Sequence, residues 1–350
     1  MAIQNGFSPI LVVVLQGSCV DAQPLVPALF IFGDSTVDVG NNNYLFTLVK
    51  SNFPPYGRDF DTHNPTGRFC DGRLATDYVA ETLGFTSFPP AYLSPQASGQ
   101  NLLTGVNFAS GASGIYDDTA QRSNAISMTQ QLQYFQQYQS KVEKSVGRAN
   151  VSTIVSKALY VVSAGASDFV QNYYINPQLL KQFTVPQFVE FLLQKFSAFT
   201  QRLYKLGARR IGVTSLPPLG CLPASITLFG NGENVCVSRL NSDSQHYNTR
   251  LQATVNSLAK SLPGLKIIVF DIYTTLYSFV QHPSDNGFAE ARRACCGTGV
   301  IETAVLCNPR SIGTCANASQ YVFWDSFHPT QAANELLSNA LILQGISLIS

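Results

Sequence analysis

Charge is scarce in this chain: 12% of its 350 residues are Asp, Glu, Lys or Arg, and 22 basic against 21 acidic side chains leave a formal net charge of +1. That balance gives no electrostatic case for nucleic acid or an anionic membrane surface as a partner. None of the 8 cysteines forms a C-x-x-C pair, which argues against a zinc ribbon or knuckle. No phosphate loop, nucleotide motif or metal-ligand cluster occurs, so no metal and no cofactor are expected. Beyond the N-terminus no apolar run approaches membrane length, so no integral membrane segment is expected in the mature chain. Histidine is scarce too, with only 4, and this limits which residues can act as a base.

Apolar residues are plentiful, at 45% with 23 Phe and 15 Tyr, enough for one large core and an aromatic surface or groove. Ile10–Leu15 is a short apolar run followed by Gly17, Ser18 and Cys19, with small residues at Val20-Asp21-Ala22. Too short to span a bilayer, it reads as a cleaved secretory signal over residues 1–22, although its start lacks Lys and Arg. A secreted, extracellular protein is expected. The sequons at Asn150 and Asn317 agree as candidate glycosylation sites. With Cys19 in the signal, seven cysteines remain, and an oxidising compartment makes disulfides their natural use. Cys221 and Cys236 are placed to close a local loop and others to staple residues 295–315, while isolated Cys70 is the candidate free thiol. The full pairing is not readable from spacing.

Short apolar runs alternate with amphipathic stretches along the whole chain. Strands are predicted at Ala28–Phe32, Gly105–Ala109, Ala158–Val162, Arg209–Val213 and Leu265–Phe270. Helices are predicted at Ala75–Leu83, Ile126–Val142, Pro186–Leu206, Cys236–Leu262 and about Thr330–Leu343. Such alternation argues for a parallel sheet with helices on both faces. No linker or repeat interrupts it, so residues 23–350 read as one domain.

Three of these strands break into Gly- and Ser-rich turns: Gly33-Asp34-Ser35, Ser110-Gly111-Ala112-Ser113-Gly114 and Gly165-Ala166-Ser167-Asp168. In open α/β sheets ligands bind outside the carboxyl ends of the strands. Ser35 is then a candidate nucleophile, provided a base reaches it. His63, His246 and His282 lie in loop or surface-helix contexts. His328 differs, because it follows Trp324-Asp325-Ser326-Phe327 just before the last helix. Asp325, three residues earlier, can fix its tautomer and stabilise the imidazolium formed when Ser35 loses its proton.

Gly33-Asp34-Ser35 with Asp38 and Gly40-Asn41-Asn42, Asn107–Gly111, Gly165–Phe169 and Asp325–His328 fall in the order and spacing of the plant GDSL esterase/lipases, within the SGNH hydrolases. The resemblance runs from about Ala28 to the last helix. It includes Pro54-Pro55-Tyr56-Gly57, Gly67-Arg68-Phe69, Pro217–Cys221 and Cys295-Cys296-Gly297. It implies a three-layer α/β/α, flavodoxin-like fold with a central parallel sheet. It also implies a Ser-His-Asp triad, with Ser35 as nucleophile, His328 as base and Asp325 as orienting carboxylate. The backbone N–H groups of Ser35 and Gly111 would form the oxyanion hole. The family's third donor is an Asn side chain in Gly-x-Asn-Asp, and here Ser167 occupies that position. Losing such a donor typically costs about 10²–10³ in turnover.

The implied activity is hydrolysis of small-molecule or lipid esters through an acyl-Ser35 intermediate. An acyltransferase would use the same triad with a different acceptor. A catalytically weakened protein binding lipids or wall polymers is a reading that only Ser167 favours.

Overall fold

The computed structural model describes residues 23–350. The signal expected at residues 1–22, with Cys19, lies outside the described residues. Four five-residue strands form the central sheet: β1 (Leu29–Gly33), β2 (Leu159–Ser163), β3 (Arg210–Thr214) and β4 (Lys266–Phe270). All pair in parallel in the order β1-β2-β3-β4, with Leu29 opposite Leu159 and Gly33 opposite Ser163. β1 and β2 are buried along their whole length. That suits their unbroken apolar runs, since a parallel sheet is covered on both faces.

The strand predicted at Gly105–Ala109 is reduced to bridges. Ile31 N–H donates to the Val106 carbonyl at 3.2 Å and Phe108 N–H to the Ile31 carbonyl at 2.8 Å, which sets this segment beside β1. On its outer side Asn107 meets only Ala91, next to Pro89-Pro90. Proline has no N–H to extend a ladder there. Counted second along the chain, the segment gives the spatial order 2-1-3-4-5 of flavodoxin-like folds.

Among the described residues, seven helices of eight residues or more flank the sheet: α1 (Ala75–Thr82), α2 (Met128–Val146), α3 (Arg148–Lys157), α4 (Val185–Lys205), α5 (Ser238–Ser261), α6 (Ile272–Gln281) and α7 (Gln331–Ile349). α1, α6 and α7 pack together on one face, and α2, α4 and α5 lie on the other. α4 buries Phe188, Leu192, Phe196, Phe199 and Leu203, the stripe its sequence period predicts, and Pro186 occupies its first turn. The interior is aromatic: the ring of Phe30 lies 5.2 Å from Phe135, 5.0 Å from Tyr138 and 5.2 Å from Tyr160.

Two features differ from expectation. α7 runs past Leu343 to Ile349 and is long and apolar enough, by length and composition, to cross a membrane. The expectation that no further run reaches membrane length therefore fails on composition. Here the helix packs on β3, β4 and α1, burying Ala333, Leu337, Leu341 and Leu348. The second feature is a small parallel pair, β5 (Glu290–Ala294) and β6 (Tyr321–Phe323). β5 has no apolar alternation to announce it.

Three disulfides join Cys221–Cys236, Cys295–Cys315 and Cys296–Cys307, and Cys70 is a buried free thiol. Two of these bridges tie the lobe between β5 and β6.

Candidate active site

The site begins at the end of β1. Gly33 has φ +143°, and a Cβ there would lie 1.9 Å from the Ser163 carbonyl oxygen of β2, so only glycine lets the chain turn this closely. Asp34 N–H donates to that same carbonyl at 2.9 Å. From the opposite face the buried Gln131 of α2 clamps Gly33, its Oε1 accepting from the Gly33 N–H and its Nε2 donating to the Gly33 carbonyl, both at 2.9 Å. Nε2 also reaches Ser113 Oγ at 3.2 Å, tying the turn after Gly111 to the same amide. These contacts hold Ser35 at the carboxyl rim.

β6 feeds the loop that supplies the partners of Ser35. His328 Nε2 lies 2.7 Å from Ser35 Oγ, and His328 Nδ1 lies 2.7 Å from Asp325 Oδ1. Ser35, Asp325 and His328 are all buried. Asp325 Oδ1 also accepts the Phe327 and His328 N–H groups at 3.0 and 2.9 Å, a turn that the three-residue spacing makes possible. The Phe69 ring lies 5.1 Å from the imidazole. The structure brings together the three residues singled out in the sequence. His63, His246 and His282 are exposed and make no contact with the site.

Tyr56 was legible only as part of a proline-rich loop, yet its buried hydroxyl donates to Asp325 Oδ2 at 2.7 Å. It accepts the Ala304 N–H at 2.8 Å, and Thr303 Oγ1 adds a bond to Asp325 Oδ2 at 3.1 Å. Burial first, then the Asp325 charge, push the Tyr56 phenol well above its ordinary pKa, so it stays a donor. Thr303 and Ala304 sit inside the loop closed by Cys296–Cys307. No sequence signal joins Tyr56 to Asp325, 269 residues apart.

At Gly111 the structure differs from expectation. Its N–H donates to Asp38 Oδ2 at 2.9 Å and is not free for a ligand. Asp38 Oδ1 accepts Gly40 and Asn41 N–H, both at 2.8 Å, while burial pushes this carboxyl up to about 6. Asn42 reinforces the same turn, donating to the Gly111 carbonyl at 3.0 Å and accepting from Ser110 Oγ at 2.5 Å. The next residue, Ala112, is held at φ +64°, where side chains are strained. The N–H groups of Ala112 and Ser35 have no hydrogen-bond partner among the described residues.

Ser167 is buried at the end of β2, and its hydroxyl makes no hydrogen bond within the described residues. Asp168 beside it is turned away. It accepts Ile115 and Tyr116 N–H at 2.7 and 3.2 Å and the Thr119 hydroxyl at 2.7 Å, and burial pushes it up to about 7. Among the described residues no group of His, Cys, Asp and Glu could hold a metal ion.

A hydrogen-bonded Ser-His-Asp line at the carboxyl rim of a parallel α/β sheet defines the architecture of an SGNH-type hydrolase. Residues 29–341 match the GDSL-like Lipase/Acylhydrolase family, and the chain belongs to it. Two Arabidopsis thaliana proteins named GDSL esterase/lipase are 59% identical to it. One aligns over 332 residues, covering 94% of this chain and 92% of its own; the other, APG, aligns over 326 residues, covering 93% and 92%. A third from the same plant is 40% identical over 334 residues, covering 95% of both chains. The family is one of carboxylic ester hydrolases.

Proposed function

We propose that the chain is a secreted serine esterase that hydrolyses carboxylic esters through an acyl-Ser35 intermediate. The observation that carries this reading is the continuous line from Ser35 Oγ to His328 Nε2 and from His328 Nδ1 to Asp325, at 2.7 Å each. Ser35 Oγ attacks the ester carbonyl carbon while His328 Nε2 takes its proton. The carbonyl oxygen becomes an oxyanion, with the unpaired N–H groups of Ser35 and Ala112 as its backbone donors. Gly111 contributes by fixing Ala112 through Asp38, and Ser167 offers a short hydroxyl as the side-chain donor. The intermediate collapses, His328 returns the proton to the alcohol oxygen, and the alcohol leaves. Water then attacks the acyl carbonyl carbon as His328 takes its proton. The second tetrahedral intermediate collapses with cleavage of the bond to Ser35 Oγ, the carboxylic acid leaves, and His328 returns the proton to Ser35 Oγ. Asp325 keeps the imidazole oriented throughout, and Tyr56 and Thr303 hold Asp325.

Three disulfides, with exposed sequons at Asn150 and Asn317, support passage through an oxidising, glycosylating compartment, and so a cleaved signal at residues 1–22. The domain is residues 23–350. No cofactor takes part in any step of this reading.

The test is burst kinetics with a chromogenic short-chain ester, alongside labelling of the protein by an organophosphonate. The reading requires a stoichiometric burst and one adduct on the Ser35 peptide. Folded protein that takes no label at Ser35 contradicts it and returns the lipid- or polymer-binding alternative.

A further inference from the structure

Single exposed apolar side chains are ordinary on a protein surface, but here they gather at one edge of the fold. Among the described residues sixteen large apolar side chains stand exposed, and eleven of them lie in four segments, 44–48, 175–180, 228–235 and 301–312. The first three segments belong to the connections that leave β1, β2 and β3 at their carboxyl ends, and the fourth is the disulfide lobe between β5 and β6. Phe46 is 97% exposed, Leu48 75% and Ile312 86%, so these tips project into solvent. Leu343 is exposed elsewhere, on the part of α7 that ends beside the start of β4, where Lys266 Nζ donates to the Ser350 carbonyl at 2.6 Å. That is the opposite edge of the sheet.

The four segments join in a closed ring. Val49 and Ala304 of the lobe pack against the same buried cluster, around Tyr56 and Trp324. The lobe meets residues 223–229 where Thr227 Oγ1 donates to the Val300 carbonyl at 3.1 Å. The Phe229 ring then lies 5.9 Å from Tyr174. Residues 115–124 complete the circuit: Asn172 Nδ2 donates to Thr119 Oγ1 at 3.0 Å, and Thr47 Oγ1 to the Ser123 carbonyl at 2.5 Å. Four of the five members continue from, or run into, the turns that hold Ser35, Ala112, Ser167 and His328. The fifth is tied to the same loop as His328, Ala224 N–H donating to the Ser326 carbonyl at 3.1 Å. The ring is therefore a collar around the reacting centre.

Its charge is balanced. Across residues 44–50, 115–124, 173–183, 222–235 and 297–312, four basic side chains are matched by four acidic ones. Such a collar has no particular attraction for an anionic surface. Its apolar tips also stand on separate loops. A protein partner would need a fixed pocket for each tip, whereas a fluid lipid surface takes each one independently.

We infer that this collar docks the protein on an electrically neutral lipid surface, with its apolar tips inserted and the Ser35 mouth turned towards ester held in that surface. The delivery of substrate rests on the serine-esterase reading; the docking itself requires no chemistry.

The experiment measures partitioning onto phosphatidylcholine vesicles by flotation, on protein carrying Ser35→Ala so that nothing is turned over. It is run at about 0.05 and 0.5 M salt and repeated with phosphatidylserine added to the vesicles. The double variant Phe46→Ser, Leu48→Ser and the single variant Ile312→Ser are compared with Leu343→Ser. The partition constant should fall about tenfold for each collar side chain removed, stay within about twofold in Leu343→Ser, and be indifferent to salt and to phosphatidylserine. With Ser35 in place, the collar variants should hydrolyse p-nitrophenyl acetate at the wild-type rate and an emulsified long-chain ester at least about fivefold more slowly. No partitioning, partitioning that requires phosphatidylserine, or partitioning lost in Leu343→Ser but kept in the collar variants overturns the inference. Equal losses on the soluble and the emulsified ester in folded variants overturn it as well. Self-association through these residues, seen by sedimentation while vesicles stay unbound, makes the collar a contact between copies and also overturns it. Partitioning as expected, in protein that hydrolyses neither ester with Ser35 intact, removes the esterase reading and leaves the docking in place.

Discussion

The hydroxyl of Tyr56 lies 2.7 Å from Asp325 Oδ2, on the opposite side of the carboxylate from His328. One oxygen of Asp325 thus orients the imidazole, while the other is held by a tyrosine brought in from the far end of the chain. Tyr56→Phe keeps the ring but leaves the Ala304 N–H unpaired and the buried Asp325 Oδ2 with the Thr303 hydroxyl alone. A stability loss of about 1–3 kcal/mol is expected, readable as a lower denaturation midpoint. The kcat should fall about five- to thirtyfold with KM little changed, because the lost contact acts on the charge formed in the transition state. A variant that unfolds earlier yet keeps full kcat would reduce Tyr56 to packing.

Gln131→Leu tests the clamp on the nucleophile turn. The substitution leaves the buried Gly33 N–H unpaired, at a cost of about 1–3 kcal/mol, while the Gly33 carbonyl keeps only its bond from the Ser110 N–H at 3.1 Å. The expected result is a lower melting temperature together with slower organophosphonate labelling of Ser35. Labelling at the wild-type rate would show that β1 and β2 alone hold the turn.

Ser167→Asn restores the side-chain donor found in the family pattern. A missing donor of this kind typically costs about 10²–10³ in turnover, so kcat for a short ester should rise tenfold or more. Unchanged turnover in this variant, with Ser35→Ala inactive, would mean that the backbone donors suffice.

Glu302 provides a pH-dependent tie in the lobe that carries Thr303. Partial burial works to raise its pKa, but bonds from the Thr298 hydroxyl and from backbone N–H groups outweigh it and hold the carboxyl down to about 2. The folded value lies below the ordinary value of 4.5. The stabilisation is therefore present above that ordinary value and is lost as pH falls from it towards about 2. Melting curves from pH 6 to 2.5 should show the wild type losing more stability than Glu302→Gln across that window. Parallel curves would show that the tie is energetically silent.

The sheet and the three triad residues were legible because both leave local marks. β1 and β2 are apolar runs that break into Gly- and Ser-rich turns, β3 and β4 are short apolar cores that follow amphipathic helices, and Asp325 and His328 sit three residues apart before a helix. What stayed hidden depends on contacts between distant segments. Tyr56 and Thr303 gain their role only when the disulfide lobe folds over Asp325. Gln131 sits in a glutamine-rich helix where nothing local marks it out. Gly111 reads as a free donor until Asp38 is seen to take its N–H. Gly105–Ala109 reads as a full strand by composition, and only its place beside Pro90 trims it.

The central claim is that Ser35, activated by His328, carries the acyl group. Mass spectrometry of the intact protein after exposure to an organophosphonate, with ester turnover followed on the same sample, tests it most directly. The account predicts one adduct, mapped to the peptide containing Ser35, with turnover lost in step with labelling and both abolished in Ser35→Ala. Ester turnover that persists in folded Ser35→Ala, or an adduct on another residue that accompanies the loss of activity, would contradict it.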